Sequence, residues 1–150
     1  NTCRSPMAEG LLRDALPQDW SGEVEVSSAG THAWEGQPAA SLALKAMKEK
    51  GIDISAHRAR LATPEIINGA SLVVALALGH RDHMRAAVPG AGEWIIVLGE
   101  LDPERTSPDV ADPIGGELDD YRAARDDIEG LIRLLIKYIS KRFDLPLEST

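Results

Sequence analysis

The chain has 150 residues, of which 43% are hydrophobic and 27% charged, with a formal net charge of −8. That length suits one domain around one core, no apolar run approaches the ~20 residues needed to span a bilayer, and an acidic balance without a basic stripe excludes a broad nucleic-acid-binding surface. Any phosphate chemistry must then be local, and a single cysteine, Cys3, leaves no intrachain disulfide framework and suits a reducing, cytoplasmic setting.

In chain order, Asn1-Thr2-Cys3-Arg4-Ser5, followed by Pro6-Met7-Ala8-Glu9, reads as the back half of an anion-cradling loop that runs into a helix. Asn1 suits a tight bend, and Arg4 offers a planar fork of donors to a tetrahedral oxyanion. Ser5-Pro6 is a helix-start pattern whose free N–H groups face a bound anion. Met7, Leu11, Leu12 and Ala15 carry the apolar spacing of a helix from Ser5 to Leu16, stopped by Pro17. Val24 to Ser27 alternates as a strand, broken by Ser28-Ala29-Gly30. Trp34, in the polar loop Thr31 to Gly36, either walls a pocket or covers the core. A second amphipathic helix is predicted from Pro38 to Lys50, ending at Gly51.

Thr63-Pro64-Glu65 is a helix start, Ser71 to Ala77 a buried strand, Gly79 to Ala87 a short helix, and Glu93 to Leu98 a central strand. His80 and His83, three apart on that helix, read as a solvated face rather than a metal pair, because no carboxylate or thiol cluster of ligand spacing accompanies them. Gly99 to Gly116, rich in Pro, Asp, Gly and Ser, is a long functional loop. Tyr121, Arg125, Ile128, Ile132, Leu135 and Ile139 define a closing helix, with a frayed tail after Phe143. Strands alternating with helices predict an α/β fold, a three-layer sandwich with a central parallel sheet of about four strands flanked by helices, the first strand lying upstream of Asn1. In such sheets ligands bind at the carboxyl ends of the strands, where the loop leading into the Ser5 helix would sit.

A thiolate attacking phosphorus needs a lowered pKa, donors around the equatorial oxygens, and an acid for the leaving group. Arg4 fits the oxyanion clamp, and Ser5 can hydrogen-bond a thiolate. For the acid, Asp112 is preferred to Asp102 and Asp109: Pro113 stiffens its turn, and Gly115-Gly116 lets the backbone approach a ligand ahead of the closing helix, whereas Asp102-Pro103 lacks both the glycines and the helix.

The opening run resembles the C-x-G-N-x-C-R-S-P phosphate loop of the low-molecular-weight protein tyrosine phosphatase family. The likeness continues through Ser28-Ala29-Gly30, Gly51 to Ser55 with His57 and Arg60, and Asp112-Pro113. The resemblance implies a single phosphatase domain over residues 1–150, lacking the first strand and the first half of the loop. The nucleophilic cysteine would lie three residues before Asn1, with Cys3 a second, accessory cysteine. It further implies that Asn1 is pinned by His57 and that Asp112 is the general acid, then the base for water attacking a phosphocysteine. No metal or cofactor is called for, and the partners are a phosphorylated protein and a phosphate or other tetrahedral oxyanion in the loop. Tyrosine-directed members place an aliphatic residue where Thr2 stands and aromatics after the D-P pair. Thr2, with Gly115 to Arg122, is similar instead to the bacterial protein-arginine phosphatase branch, although Ile114 occupies a position where that branch has Phe. Two other readings are a non-catalytic phosphate- or phosphoprotein-binding module and an arsenate reductase; the latter relays oxidation through further cysteines, and none follows Cys3.

Overall fold

The structure, a computed structural model, describes residues 3–32 and 34–147. Its regular elements are α1 (Arg4–Ala15), α2 (Ser41–Lys48), α3 (Pro64–Gly69), β1 (Val73–Ala75), α4 (Leu78–Ala87), β2 (Ile95–Val97) and α5 (Leu118–Phe143). β1 and β2 pair in parallel with Val73 opposite Ile95, joined by α4 as the crossover. Because successive strand side chains point to opposite faces, each strand feeds two cores. Val74 and Ile96 pack on the larger one, with Met7, Leu11, Met47, Ile128 and Leu135. Val73, Ala75, Ile95 and Val97 join Met84 and Val88 of α4 and Ile67 of α3. A sheet buried on both faces between helices is the three-layer α/β sandwich.

Local chemistry explains where the elements stop. Pro6, Met7, Gly10 and Leu11 bury one face of α1, and a Cβ on Gly10 would come within 2.8 Å of Ile54 Cγ2, so that glycine lets α1 lie close against the 52–54 segment. α1 starts at Arg4 with Cys3 in the capping position, which corrects the expectation that the helix opens at Ser5: the serine is already its second residue. α2 begins at Ser41 rather than Pro38. Residues 36–38 spend their backbone groups on residues 58–59 instead, with Gly36 N–H donating to Ala59 O, Ala59 N–H to Gln37 O, and a Pro38–Arg58 bridge. At the start of α3, Thr63 Oγ1 accepts from Ile66 N–H and Pro64 takes the first helical position, as its sequence pattern requires.

Val24 to Ser27 alternates half-buried and exposed residues like a strand, yet the segment joins no ladder among the described residues; the ladder there is two strands, the expected sheet of about four having included one upstream of Asn1. The tail also differs from expectation. Asp144 turns left-handed at φ 53°, Leu145 N–H donates to Ser140 O, and Trp20 Nε1 donates to Pro146 O at 2.5 Å, so residues 144–146 are docked rather than frayed. No described helix is long and apolar enough to cross a membrane.

Candidate active site

Arg4 is the first residue of α1, and its side chain is only 13% exposed. Nη1 donates to the carbonyl of Val110 at 2.6 Å, while Nη2 lies 3.6 Å from Asp112 Oδ2 and 3.4 Å from His80 Nε2. Three separate elements therefore meet on one guanidinium: α1, the long loop before α5, and α4.

The loop is held where it can do this. Val110 N–H donates to Leu76 O just past the end of β1, and Asp109 Oδ1 accepts from Leu78 N–H at the start of α4, so the loop is stitched to the carboxyl end of the sheet. Arg105 ties the loop to α5 through both oxygens of Asp127 and also donates to the backbone of Ser107 and Asp109. Pro108 passes so near Gly99 that a Cβ there would sit 2.0 Å from the Pro108 carbonyl oxygen. Downstream, Asp112 Oδ1 accepts from Ile114 N–H at 3.1 Å, Gly116 N–H donates to Pro113 O, and Gly115 adopts φ 77°. The Asp112 carboxylate stays 46% exposed, open to a ligand while its turn is rigid. Asp102, by contrast, accepts from Glu104 N–H in its own turn.

Cys3 is buried, with Sγ 3.4 Å from the hydroxyl of Tyr121. Burial first, then the contact with Cys3, pushes the Tyr121 phenol up to about 12, so it stays protonated throughout the neutral range. Ser5 is half-buried in the first turn of α1, where the N–H groups have no carbonyl one turn back to bond. Asn1 and Thr2 lie outside the described residues. His57 is half-buried, with its N–H donating to Ile54 O, and lines a groove of about 570 Å³ with Glu9, Arg13, Ser28 and Asp53 along the flank of α1. Trp34 is 78% exposed and so does not cover the core, and Ile114 is 68% exposed on the acid loop.

Tyr121 and His80 were missed by sequence reasoning as site residues. Tyr121 carried only a helix-packing signal. The solvated-face reading of the two histidines fails for His80, which is half-buried and turned to Arg4, whereas exposed His83 meets the ring of His32 at 5.2 Å. Among the described residues no three His, Cys, Asp or Glu side chains converge as metal ligands.

Residues 1–144 match the family described as low molecular weight phosphotyrosine protein phosphatase. The chain is 44% identical, over 88% of its length and 85% of the relative's, to a protein-arginine-phosphatase of Geobacillus stearothermophilus. It is 40% identical, over 68% of its length and 67% of the relative's, to a probable low molecular weight protein-tyrosine-phosphatase, EpsP, of Ralstonia solanacearum. The solved structure of the YwlE arginine phosphatase from Geobacillus stearothermophilus superposes with a TM-score of 0.84 at 38% identity, covering 99% of this chain and 94% of that one.

Proposed function

The chain belongs to the low molecular weight phosphotyrosine protein phosphatase family, and from that premise we propose that it hydrolyses phosphorylated protein side chains through a phosphocysteine. The nucleophile is the loop cysteine three residues before Asn1, and phosphoarginine is the preferred substrate. The observation that carries this reading is the meeting of Arg4 and Asp112, 3.6 Å apart, on elements more than a hundred residues apart in the chain.

Held by Val110 O, the Arg4 guanidinium presents its remaining donors to two equatorial oxygens of the phosphoryl group, joined by the first-turn N–H groups of Arg4 and Ser5. These donors stabilise charge as the thiolate sulfur bonds to phosphorus and the bond to the leaving atom breaks. Asp112 gives a proton to that departing nitrogen or oxygen. The same carboxylate then takes a proton from the water that attacks the phosphocysteine, which frees inorganic phosphate and restores the thiolate. Ser5, close to the start of α1, hydrogen-bonds the thiolate and favours its charged form. Trp34 and Ile114, both exposed, offer the phosphorylated segment apolar surface to lie on.

The preference for phosphoarginine rests on Thr2, whose hydroxyl suits a polar guanidinium, and on the arginine-phosphatase relatives. A cytoplasmic site of action is part of the same reading, since the proposed chemistry needs its loop thiol reduced. The test is a protein extended upstream through the whole loop. It should turn over p-nitrophenyl phosphate and trap phosphate on its loop cysteine, whereas the chain beginning at Asn1 should do neither. Robust turnover by the 150-residue chain alone would refute the placement of the nucleophile.

A further inference from the structure

One contact of the clamp comes from a helix that takes no part in the proposed chemistry. His80 is the third residue of α4, half-buried, and its Nε2 lies 3.4 Å from Arg4 Nη2. A guanidinium only donates, so Nε2 accepts, and the ring is neutral with its proton on Nδ1. With Val110 O holding Nη1 and His80 holding Nη2, the guanidinium is gripped at two corners by two different elements. A planar donor group that must meet two phosphoryl oxygens at once gains from having both its position and its tilt set beforehand.

We propose that His80 is a positioning residue of the phosphate clamp, a neutral acceptor that sets the tilt of Arg4, and that protonating His80 releases the guanidinium and so imposes an acid limit on activity. The inference rests on the phosphatase reading above. Around the imidazole stand Arg4 from α1, Asp109 and Asp112 from the long loop, and His32 from the turn after Gly30. On its own helix, Arg81 pairs with Asp82 and Glu100, and His83 meets His32. Burial and then the charge of Arg4 hold His80 below the usual histidine value, and the two aspartates oppose this with less weight. The ring is therefore neutral at pH 7 and gains its charge on acidification, where it meets Arg4 as a like charge.

The experiment uses the protein carrying its complete loop and p-nitrophenyl phosphate as substrate. At pH 7.5, His80→Ala should lower kcat/KM by roughly tenfold, the scale of one hydrogen bond involving a charged group. His80→Gln, whose carboxamide oxygen accepts but does not titrate, should restore most of that loss. The ratio of wild-type to His80→Gln kcat/KM cancels the titration of substrate, thiolate and Asp112, and it should fall as pH drops from 7 to 5. A readout independent of turnover is the imidazole nitrogen NMR spectrum, in which His80 should carry its proton on Nδ1 and titrate at higher pH in Arg4→Gln. A flat ratio with an active wild type, or a His80 titration unmoved by Arg4→Gln, would overturn the role of His80 and leave the phosphatase reading standing. A wild type inert toward p-nitrophenyl phosphate and phosphoarginine alike would overturn both.

Discussion

The close backbone approach of Gly99 to Pro108 makes a sharp prediction. A methyl group at position 99 would sit 2.0 Å from the Pro108 carbonyl oxygen, 2.6 Å from its carbon and 2.9 Å from its Cα. These are backbone atoms, so no side-chain rotation relieves the clash. Restoring a contact of 3.0 Å or more requires the chain at Pro108 to retreat by about 1 Å, and overpacking of this kind costs about 1–3 kcal/mol. Arg105, tied to Asp127 and to the Asp109 carbonyl, resists the retreat from the α5 side, which favours the upper part of that range. The displaced segment leads within two residues to Val110 O, the anchor of Arg4, and within four to Asp112. A misplacement of ~1 Å in such positioning elements can cost ~10²-fold in rate. Gly99→Ala in the protein with its full loop should therefore lower the urea midpoint and, separately, reduce kcat on p-nitrophenyl phosphate under conditions where the variant is fully folded. Gly130→Ala is the control: it lies inside α5 on an exposed face with open space around it, and should stabilise by about 0.5–1 kcal/mol with unchanged kcat. Stability within about 0.5 kcal/mol of wild type together with undiminished kcat for Gly99→Ala would refute the argument, since an effect that small is ordinary for a surface change.

Asp112→Asn should reduce turnover by roughly 10²–10⁴-fold, the range for a lost general acid, with Asp102→Asn close to wild type; the reverse order in steady-state kinetics would move the acid to the other turn. Thr2→Ile should shift the kcat/KM ratio of phosphoarginine to phosphotyrosine toward phosphotyrosine by roughly tenfold, the scale of one polar contact, and an unchanged ratio in side-by-side assays would remove Thr2 from substrate choice. Glu49 is drawn down to about 2 by hydrogen bonds from Arg122 and then Arg125. Its folded value is lowered, so its contribution to stability is present above the ordinary 4.5 and is lost as pH falls from there toward about 2. Chemical denaturation of Glu49→Gln should accordingly show a weaker acid dependence than wild type across that window, and parallel curves would show that the network adds nothing through ionisation.

Much of the site was legible along the chain because its parts are local. The loop-to-helix run at Cys3 to Glu9, the stiffened turn at Asp112 to Gly116 and the cap at Thr63 each depend on neighbours a few residues away, where residue type and spacing decide backbone geometry. The long period of α5 was equally readable, since nine of its residues are buried along one face. Where α2 begins was not readable, because Pro38 is diverted by pairing with Arg58, twenty residues on. The docked tail depends on Trp20 Nε1 reaching Pro146 O, a contact across almost the whole chain. The same limit applies within the site. Nothing in the spacing of His80 and His83 distinguishes the ring that meets Arg4 from the ring that stays exposed, and nothing in a helical apolar repeat tells that Tyr121 will find Cys3. Residue type marked Arg4 and Asp112 as candidates, but packing α1, α4 and the long loop at one end of the sheet decided which carboxylate and which imidazole stand beside the Arg4 guanidinium. A hydrogen bond requires donor and acceptor within about 3.5 Å, and only the folded chain sets that distance for residues about a hundred positions apart.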